Sequence, residues 1–249
     1  MVITDAFEVA PQHRGYSLAQ LTEIAGQEIV SVECSSEPRY RPRPWLNGGQ
    51  FSHKSLPLSE ALALVEQSPF PQWHYLSNFF VGPVPALRDW LPDIPCLPKP
   101  SAEHVALFVG QSGTGAHMHC DLVDEVVVML QGSKRMRLLP PSQRAMVKPF
   151  AFPHSCANYS SRAKLDEVPS GCSSPVWTTT ISAGEAIYIP SGWWHEAVNV
   201  GLTIAFKLFY SAPPWRWLAW SHLRLILSQL IRRTGWTPRA RVDPAFPVP

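Results

Sequence analysis

The residues best suited to chemistry stand in two histidine-containing clusters. The first is the segment 115–121, which reads Gly-Ala-His-Met-His-Cys-Asp. Side chains two positions apart share one face of an extended strand, so His119 and Asp121 can both point at a single ion. His117 has the same parity and is a further candidate on that face. This segment therefore predicts a metal site that uses imidazole and carboxylate ligands.

The second cluster is the segment 184–195, which reads Gly-Glu-Ala-Ile-Tyr-Ile-Pro-Ser-Gly-Trp-Trp-His. Its apolar run predicts a strand, and the Pro-x-Gly turn after that strand delivers His195. Two imidazoles and one carboxylate occupy one face of an octahedral ion and leave three positions for an oxidisable cosubstrate and dioxygen. A site made of His119, Asp121 and His195 would suit a non-haem Fe(II) oxygenase. The spacing alone is a weak signal, so the surrounding residues decide its meaning.

Size and composition predict one folded, soluble domain. The 249 residues are 45% hydrophobic and 16% charged, which is ordinary for a globular protein. The net charge of only +2 gives no argument for a nucleic-acid partner, and no apolar run is long enough to span a membrane. The five cysteines show no regular spacing, so neither a disulfide framework nor a zinc site is expected. Without a signal-peptide pattern at the N-terminus, we expect a cytoplasmic location.

The elements that must position the two clusters are mainly strands. The spacing of apolar residues predicts two helices near the N-terminus, over 17–25 and 58–67. Short apolar runs separated by turn residues then predict six strands: His104–Val109, Glu125–Leu130, Met136–Leu139, Val176–Ile181, Ala186–Ile189 and Leu202–Tyr210. Six such strands favour a sandwich or barrel, with the segment 140–175 as a long insertion between its halves.

The C-terminal region returns to a helical pattern. The segment Leu218–Ile231 has apolar residues along one side, namely Ala219, Leu223, Ile226, Leu227 and Leu230. This helix either packs on its own barrel or joins two copies of the chain in a homodimer. We therefore expect one structural domain with three parts: an N-terminal decoration over 1–100, a barrel core over 101–214 and a helix with a tail over 215–249.

The residues around both clusters resemble the JmjC and cupin families. The second cupin motif is reproduced in full by Gly184, Pro190, Gly192, His195 and Asn199. The pair His119-x-Asp121, followed by Gln-Gly-Ser-Lys-Arg over 131–135 and Leu-Pro-Pro over 139–141, is similar to the JmjC pattern of metal pair, strand, turn and lysine strand. The run Ile-Pro-Ser-Gly-Trp-Trp-His over 189–195 is similar to that of the JmjC hydroxylases. The resemblance extends more loosely from Ser17 to Pro214.

This resemblance implies a fold, cofactors and an activity. The expected fold is mainly β: a double-stranded β-helix, or jelly roll, with N-terminal and C-terminal helices. The family pattern makes His119, Asp121 and His195 ligands of Fe(II). It makes Lys134 the partner of the distal carboxylate of 2-oxoglutarate, with Tyr75 as a hydrogen-bond donor to the same carboxylate. The implied reaction is hydroxylation of a C–H bond on an amino-acid side chain of a peptide or protein, with a small metabolite or a tRNA base as alternative substrates.

Three departures from the family pattern lie near the expected cosubstrate. Ala116 stands where the hydroxylases have Thr or Ser, and Thr114 is a candidate to replace the lost hydrogen bond. Glu125 and Lys207 replace two asparagines of the family pattern. An inward Glu125 and an inward Lys207 would form a buried pair, since either charge alone is costly to desolvate. Alternatively, Lys207 takes over the cosubstrate carboxylate from Lys134.

These departures leave two rival interpretations. The first is a cupin metal set of His117, His119, Glu125 and His195, which would imply a dioxygenase or isomerase that does not use 2-oxoglutarate. One extra residue before Glu125, compared with the cupin motif, reverses the face that this side chain is expected to present. The second is a non-catalytic scaffold, in which the changed residues block the cosubstrate and the fold serves only to bind a partner.

Overall fold

A computed structural model describes residues 1–7, 16–36, 39–40, 51–69, 71–150, 158–160 and 176–211, together with Leu223, Ile226, Leu227 and Leu230. Its strands are β1 Val2–Ile3, β2 Ile29–Ser35, β3 Arg39–Tyr40, β4 Phe51–Pro57, β5 Trp73–Phe80, β6 Val105–Gly110, β7 Gly115–His119, β8 Asp124–Leu139, β9 Trp177–Ser182, β10 Ala186–Ile189 and β11 Trp194–Tyr210. Its α-helices are α1 Leu18–Ala25, α2 Leu58–Gln67, α3 Pro85–Arg88 and α4 Arg144–Val147, and 3-10 turns cover Ala102–His104 and Pro141–Gln143. The predicted mainly β architecture is confirmed.

Two long antiparallel strands, β8 and β11, form the spine of the fold. They pair from Trp194 opposite Leu139 to Tyr210 opposite Asp124. On its outer side β8 pairs first with β10 and then with β9, whereas β11 pairs first with β7 and then with β6. Each long strand therefore takes part in two layers, and the sheet order β1-β10-β8-β11-β6-β5-β2-β4 continues into the N-terminal strands.

The spine bends where the two long strands leave regular register. Pairing shifts between Val200 and Ala205, next to Gly201 with φ +75° and opposite Gly132 with φ +73°. A Cβ atom added at Gly132 would lie 2.2 Å from the carbonyl oxygen of Leu202, so only glycine fits this close approach. The runs Glu125–Leu130 and Met136–Leu139, predicted as two strands on either side of a turn at Gly132, form one continuous strand with an irregularity at that glycine.

The structure also lengthens the last predicted strand. The run Leu202–Tyr210 is the second half of β11, and His195 is the second residue of that strand. The predicted turn does precede it, since Gly192 has φ +78° and the amide of Trp193 donates to the carbonyl of Pro190 at 3.1 Å. Pairing of β11 with both β7 and β8 holds His195 opposite His119. The two sequence clusters thus meet through strand register.

The N-terminal helices cover the outer face of the sheet, which leaves its inner face to form the site. Helix α1 begins after Ser17, whose hydroxyl accepts a hydrogen bond from the amide of Gln20. Leu21 of α1 and Leu62 of α2 are buried in one core with Val32 of β2, and each such side chain contributes about 1.5–3 kcal/mol through burial. Neighbouring side chains on β2 alternate between faces, so Glu33 points away from this core.

Several predictions fall partly or wholly outside the described residues. Of the predicted C-terminal helix, Leu223, Ile226, Leu227 and Leu230 are described and are helical, and all but Ile226 are exposed. Most of the predicted insertion also lies outside the description, as do two of the five cysteines. The described ones, Cys34, Cys96 and Cys120, are free thiols. The division into parts at residues 100 and 214 stays a prediction.

Every helix in the described ranges is too short or too polar to cross a lipid bilayer.

Candidate metal centre

Three side chains converge on one point inside the barrel. The potential ligand atoms of His119, Asp121 and His195 all lie within 4.8 Å of one another. Oδ2 of Asp121 lies 3.4 Å from Nε2 of His119 and 3.9 Å from Nε2 of His195, and the two imidazole centroids are 4.2 Å apart. Among the described residues this is the group of His, Cys, Asp and Glu whose spacing suits one metal ion. The structure therefore brings together the three residues that the sequence predicted as metal ligands.

Backbone carbonyls orient both imidazoles. Nδ1 of His119 lies 2.7 Å from the carbonyl oxygen of His117, and Nδ1 of His195 lies 3.1 Å from that of Trp193. Each Nδ1 must carry the proton to donate these bonds, which leaves a lone pair on Nε2 facing the other ligands. Burial, followed by the nearby His119, holds the pKa of His195 well below its usual range. Its buried Nε2 has no hydrogen-bond partner in the described chain, so its lone pair is available to a metal ion.

A lysine links the triad to a fourth acidic residue. Nζ of Lys207 lies 2.6 Å from Oε1 of Glu125 and 3.3 Å from Oδ2 of Asp121. Burial opposes ionisation of Asp121, but Lys207 and His119 outweigh it and hold the pKa of Asp121 well below normal. Burial raises the pKa of Glu125 well above normal despite Lys207. Lys207 also keeps its charge, because the two carboxyl groups raise its pKa against the effect of burial. The buried pair predicted from the sequence is present.

The structure corrects the expected orientation of Glu125. Oε2 of Glu125 lies 3.3 Å from Nε2 of His195, so this side chain faces the triad. The expectation that an extra residue turns it away is wrong. Residues 120–123 lie outside the flanking strands β7 and β8, and strand parity does not carry across such an interruption. His117 is buried and does not line the cavity at the triad, so the rival set that needs both residues is incomplete.

The triad lies in the wall of a cavity of about 570 Å³. The same cavity is lined by Lys134 and Tyr75 from the strands β8 and β5. Nζ of Lys134 donates to the hydroxyl of Tyr75 at 3.4 Å and lies 5.6 Å from the ring centroid of Phe108. Burial, followed by the nearby Lys207, lowers the pKa of Lys134 to about 7. Among the described residues no carboxylate pairs with Lys134, so the cavity holds a buried amine that suits an acidic ligand.

Thr114 does not take the role considered for it. Its hydroxyl donates to the carbonyl of Gln111 at 2.6 Å and accepts from Nδ2 of Asn199 at 2.8 Å. It is fully buried and does not line the cavity, whereas Ala116 does. The predicted contact of Thr114 with a cosubstrate therefore does not fit this structure. Thr114 instead joins the start of β7 to the middle of β11.

Two cavity residues escaped the sequence analysis. Tyr159 stacks on the ring of His119 with centroids 5.4 Å apart and planes at 17°. It belongs to the segment predicted only as an insertion, where no periodicity pointed to the site. Glu33 also lines the cavity. Its signal was present in the sequence, since a carboxylate stands between Val32 and Cys34 in an apolar strand, but its direction depends on which face the helices cover.

A mainly β barrel with two histidines and an aspartate converging on its inner face is typical of the cupin fold, and this donor set is compatible with a metal ion. Residues 1–215 match the model of the cupin-like domain, and the chain belongs to this family. It is 29% identical over 132 residues to the bifunctional arginine demethylase and lysyl-hydroxylase psr-1 of Caenorhabditis briggsae, covering 49% of this chain and 33% of that protein.

Other relatives are similar over more of the chain. Identity to the lysine-specific demethylase JMJ30 of Arabidopsis thaliana is 23% over 219 residues, which covers 85% of this chain and 49% of that protein. Identity to the Jumonji C domain-containing protein 5 of Drosophila melanogaster is 23% over 196 residues, covering 74% and 47%. The chain thus spans between a third and a half of the length of these relatives. The predicted resemblance to JmjC and cupin proteins is confirmed.

Proposed function

We propose that the protein is an Fe(II)- and 2-oxoglutarate-dependent oxygenase that hydroxylates an amino-acid side chain of a peptide or protein. One observation carries this proposal: the triad and the pair Lys134–Tyr75 line the same cavity. The first group suits a metal that needs open coordination positions, and the second suits the far carboxylate of a dicarboxylic acid. The activities for which the relatives are named, lysyl hydroxylation and demethylation of arginine or lysine, belong to the same oxidative chemistry.

The donor set of the triad fits Fe(II). His119 and His195 would each bind through Nε2 and Asp121 through a carboxylate oxygen, which is the two-histidine, one-carboxylate arrangement of non-haem iron oxygenases. When bound, the iron supplies activation of dioxygen coupled to oxidative decarboxylation of 2-oxoglutarate. The chain contributes orientation, since the two Nδ1 hydrogen bonds keep both imidazoles in the ligating tautomer. The surrounding strands bury His119 and His195, which limits the access of bulk water to these two ligands.

Lys134 is the better candidate of the two lysines for the distal carboxylate. Lys207 already contacts Glu125 and Asp121 and compensates the charge of Asp121, whereas Lys134 has only the Tyr75 hydroxyl as a described partner. Burial, with a further contribution from Glu33, raises the pKa of Tyr75, so its hydroxyl stays protonated and can donate a hydrogen bond. An ammonium and a phenol side by side would neutralise and orient one end of 2-oxoglutarate.

The experiment that tests this function is an anaerobic titration of 2-oxoglutarate into the Fe(II)-loaded protein. Chelation of Fe(II) by a keto acid gives a visible charge-transfer band, and we expect this band in the wild type. His119→Ala should abolish this band. Lys134→Met should lower the affinity for 2-oxoglutarate by about tenfold or more, because a charge-assisted contact is lost. Lys99→Met, which removes an exposed lysine, should leave the titration unchanged.

Two negative results would have different meanings. If iron binds and no band develops at any concentration of 2-oxoglutarate, the chain is a metal-binding protein of another kind. If iron does not bind, the interpretation as a non-catalytic scaffold replaces the oxygenase. Succinate released in air, measured with and without candidate peptides, then tests the peptide or protein substrate class.

A further inference from the structure

Two carboxyl groups face the ligating imidazoles, although the triad uses only one of them. Oδ2 of Asp121 lies 3.4 Å from Nε2 of His119, and Oε2 of Glu125 lies 3.3 Å from Nε2 of His195. The Glu125 side chain is buried, and its Oε2 atom has no hydrogen-bond partner among the described residues. Carboxylate oxygens are suitable ligands for divalent ions such as Mn(II). By its position alone, Glu125 could therefore add a fourth protein ligand to the centre.

The backbone does not hold Glu125 away from the centre. This residue belongs to β8 and lies opposite Ile189 of β10 on one side and Phe209 of β11 on the other. Asp121 lies in the connection between β7 and β8, where its carbonyl accepts a hydrogen bond from the amide of Gly192 at 2.8 Å. Glu125 is thus fixed by strand pairing with its side chain toward the imidazoles. A side-chain contact must decide whether it binds the metal.

Lys207 is the side chain that makes this contact. It lies opposite Val127, two positions beyond Glu125 on β8, and residues two apart on a strand point to the same face. Nζ of Lys207 lies 2.6 Å from Oε1 of Glu125 and at the longer distance of 3.3 Å from Oδ2 of Asp121. Of the described lysines and arginines, no other lies within ion-pair distance of Glu125. The shorter contact therefore engages the carboxyl group that the triad does not use.

An ammonium group and a metal ion compete for the same carboxylate. Each is a cation, and opposite charges attract strongly where water is largely excluded. A carboxylate that pairs with an ammonium group is therefore a weaker ligand. The competition matters because two imidazoles and one carboxylate leave three positions of an octahedral ion open. A fourth protein ligand would fill one of the positions that 2-oxoglutarate and dioxygen need.

We propose that Lys207 is a positioning residue that holds Glu125 out of the coordination sphere, so that the metal binds through His119, Asp121 and His195 alone. The inference rests on the proposed function, because open positions are useful only to a centre that binds a cosubstrate and dioxygen. It also explains why Glu125 and Lys207 occur together. Without the lysine the glutamate would become a ligand, and without the glutamate the lysine would lose the closer of its two carboxyl partners.

The test counts the water molecules on Mn(II) bound to the full chain in the absence of 2-oxoglutarate. Electron spin-echo envelope modulation in D₂O gives this number. In Lys207→Met we expect one water molecule fewer than in the wild type, because Glu125 takes its place. The affinity for Mn(II) should rise by about tenfold or more, the size of a contact between charged groups. Lys207→Arg keeps the cation and should retain the hydration of the wild type.

Two double variants identify the added ligand. Lys207→Met/Glu125→Gln removes the competing carboxylate and should restore the hydration of the wild type. Lys207→Met/Glu23→Gln removes one exposed carboxylate on α1 instead and should keep the reduced number. The proposal is overturned by unchanged hydration in Lys207→Met, by a loss of water that persists with Glu125→Gln, or by the same loss in Lys207→Arg. A general disturbance of the fold would not be reversed by a second substitution at Glu125.

Failure of the inference can be told apart from failure of the proposed function. After the first count, 2-oxoglutarate is added to the same samples, and its chelation should displace water from Mn(II) in the wild type. If the variants behave as expected but 2-oxoglutarate displaces no water, the oxygenase is wrong and the role of Lys207 stands. If 2-oxoglutarate displaces water but Lys207→Met has the hydration of the wild type, only the role of Lys207 is wrong.

Discussion

Nζ of Lys207 lies 2.6 Å from Oε1 of Glu125, and this contact ties β11 to β8 beside the three converging ligands. Lys207 reaches Asp121 as well, at 3.3 Å. One cation therefore lies between two carboxyl groups in a buried site. Because burial raises the pKa of Glu125 while that of Asp121 stays low, Glu125 is the more readily protonated of the two carboxyl groups.

Removing Lys207 should be far more damaging than neutralising Glu125. We expect Lys207→Met to lower the free energy of unfolding by about 1–3 kcal/mol, because it leaves the partly exposed carboxylate of Asp121 without its cation. Glu125→Gln should change it by less than about 1 kcal/mol, since the amide resembles the protonated acid. Urea unfolding of the metal-free protein, in the presence of a chelator, measures both values.

The double variant completes this cycle. In Lys207→Met/Glu125→Gln the loss should be smaller than the sum of the single losses, because residues in contact do not contribute independently. Strictly additive losses would show that the contact between these two side chains contributes nothing to stability.

Metal binding should stabilise the protein through the triad only. At a Mn(II) concentration of a hundred times the dissociation constant, the free energy of unfolding should rise by about 2.7 kcal/mol. Asp121→Ala and His195→Ala should lose this increase, whereas His117→Ala and Glu125→Gln should keep it. If His117→Ala also lost it, the rival set of His117, His119, Glu125 and His195 would gain support. Thermal or urea unfolding with and without Mn(II) gives the increase for each variant.

The affinity for 2-oxoglutarate should fall as the pH rises above neutrality. The pKa of Lys134 is about 7, and only the ammonium form pairs with a carboxylate. Below that pH the lysine is already charged, whereas above it binding must take up a proton, and affinity falls by up to about tenfold per pH unit. The anaerobic titration repeated at pH 6.5, 7.5 and 8.5 measures this slope.

Lys134→Arg provides the matched control for this pH dependence. A guanidinium stays charged over the whole pH range, so the affinity of this variant for 2-oxoglutarate should not change with pH. Lys134→Met should bind 2-oxoglutarate weakly at every pH. A slope that persists in both variants would have to come from another group.

Glu33 should make stability depend on pH in a defined window. Its pKa rises from 4.5 to about 7 on folding, so the folded state favours the protonated form. Between these values the unfolded chain loses its proton first, and the wild type loses stability as the pH rises. Relative to wild type, Glu33→Gln should gain about 1–3 kcal/mol between pH 5 and pH 8. Urea unfolding at both pH values measures the gain, and Glu23→Gln should show none.

The C-terminal helix offers a test of the predicted homodimer. Leu223, Leu227 and Leu230 are helical and exposed, at spacings that place them on one face. If this face joins two copies, Leu227→Glu should halve the mass measured by light scattering at micromolar concentration, because a buried unpaired charge disfavours the contact. Val200→Glu adds the same charge at another exposed apolar position and should leave the mass unchanged. A monomeric wild type would remove the prediction.

Features that depend on a few neighbouring residues were predictable from the sequence. The helix α2 spans the predicted residues 58–67, and β10 spans the predicted 186–189. Apolar periodicity over one or two turns of helix, or over one strand, is enough to specify such elements. His119, Asp121 and His195 were predictable for the same reason, since each belongs to a short local motif. The mainly β class also followed, since it requires only the count of short apolar runs.

Features that depend on register between distant strands were decided by the tertiary structure. The direction of Glu125 could not be read by parity, since the residues after β7 leave the strand before β8 begins. The contact of Lys207 with Glu125 requires the pairing of β11 with β8, and the place of Glu33 in the cavity requires that helices cover the opposite face of β2. By itself, the sequence determined which residues could bind a metal and which segments could carry them. Only the closed sheet decided which side chains surround that centre, because a strand has two faces and long-range pairing chooses between them.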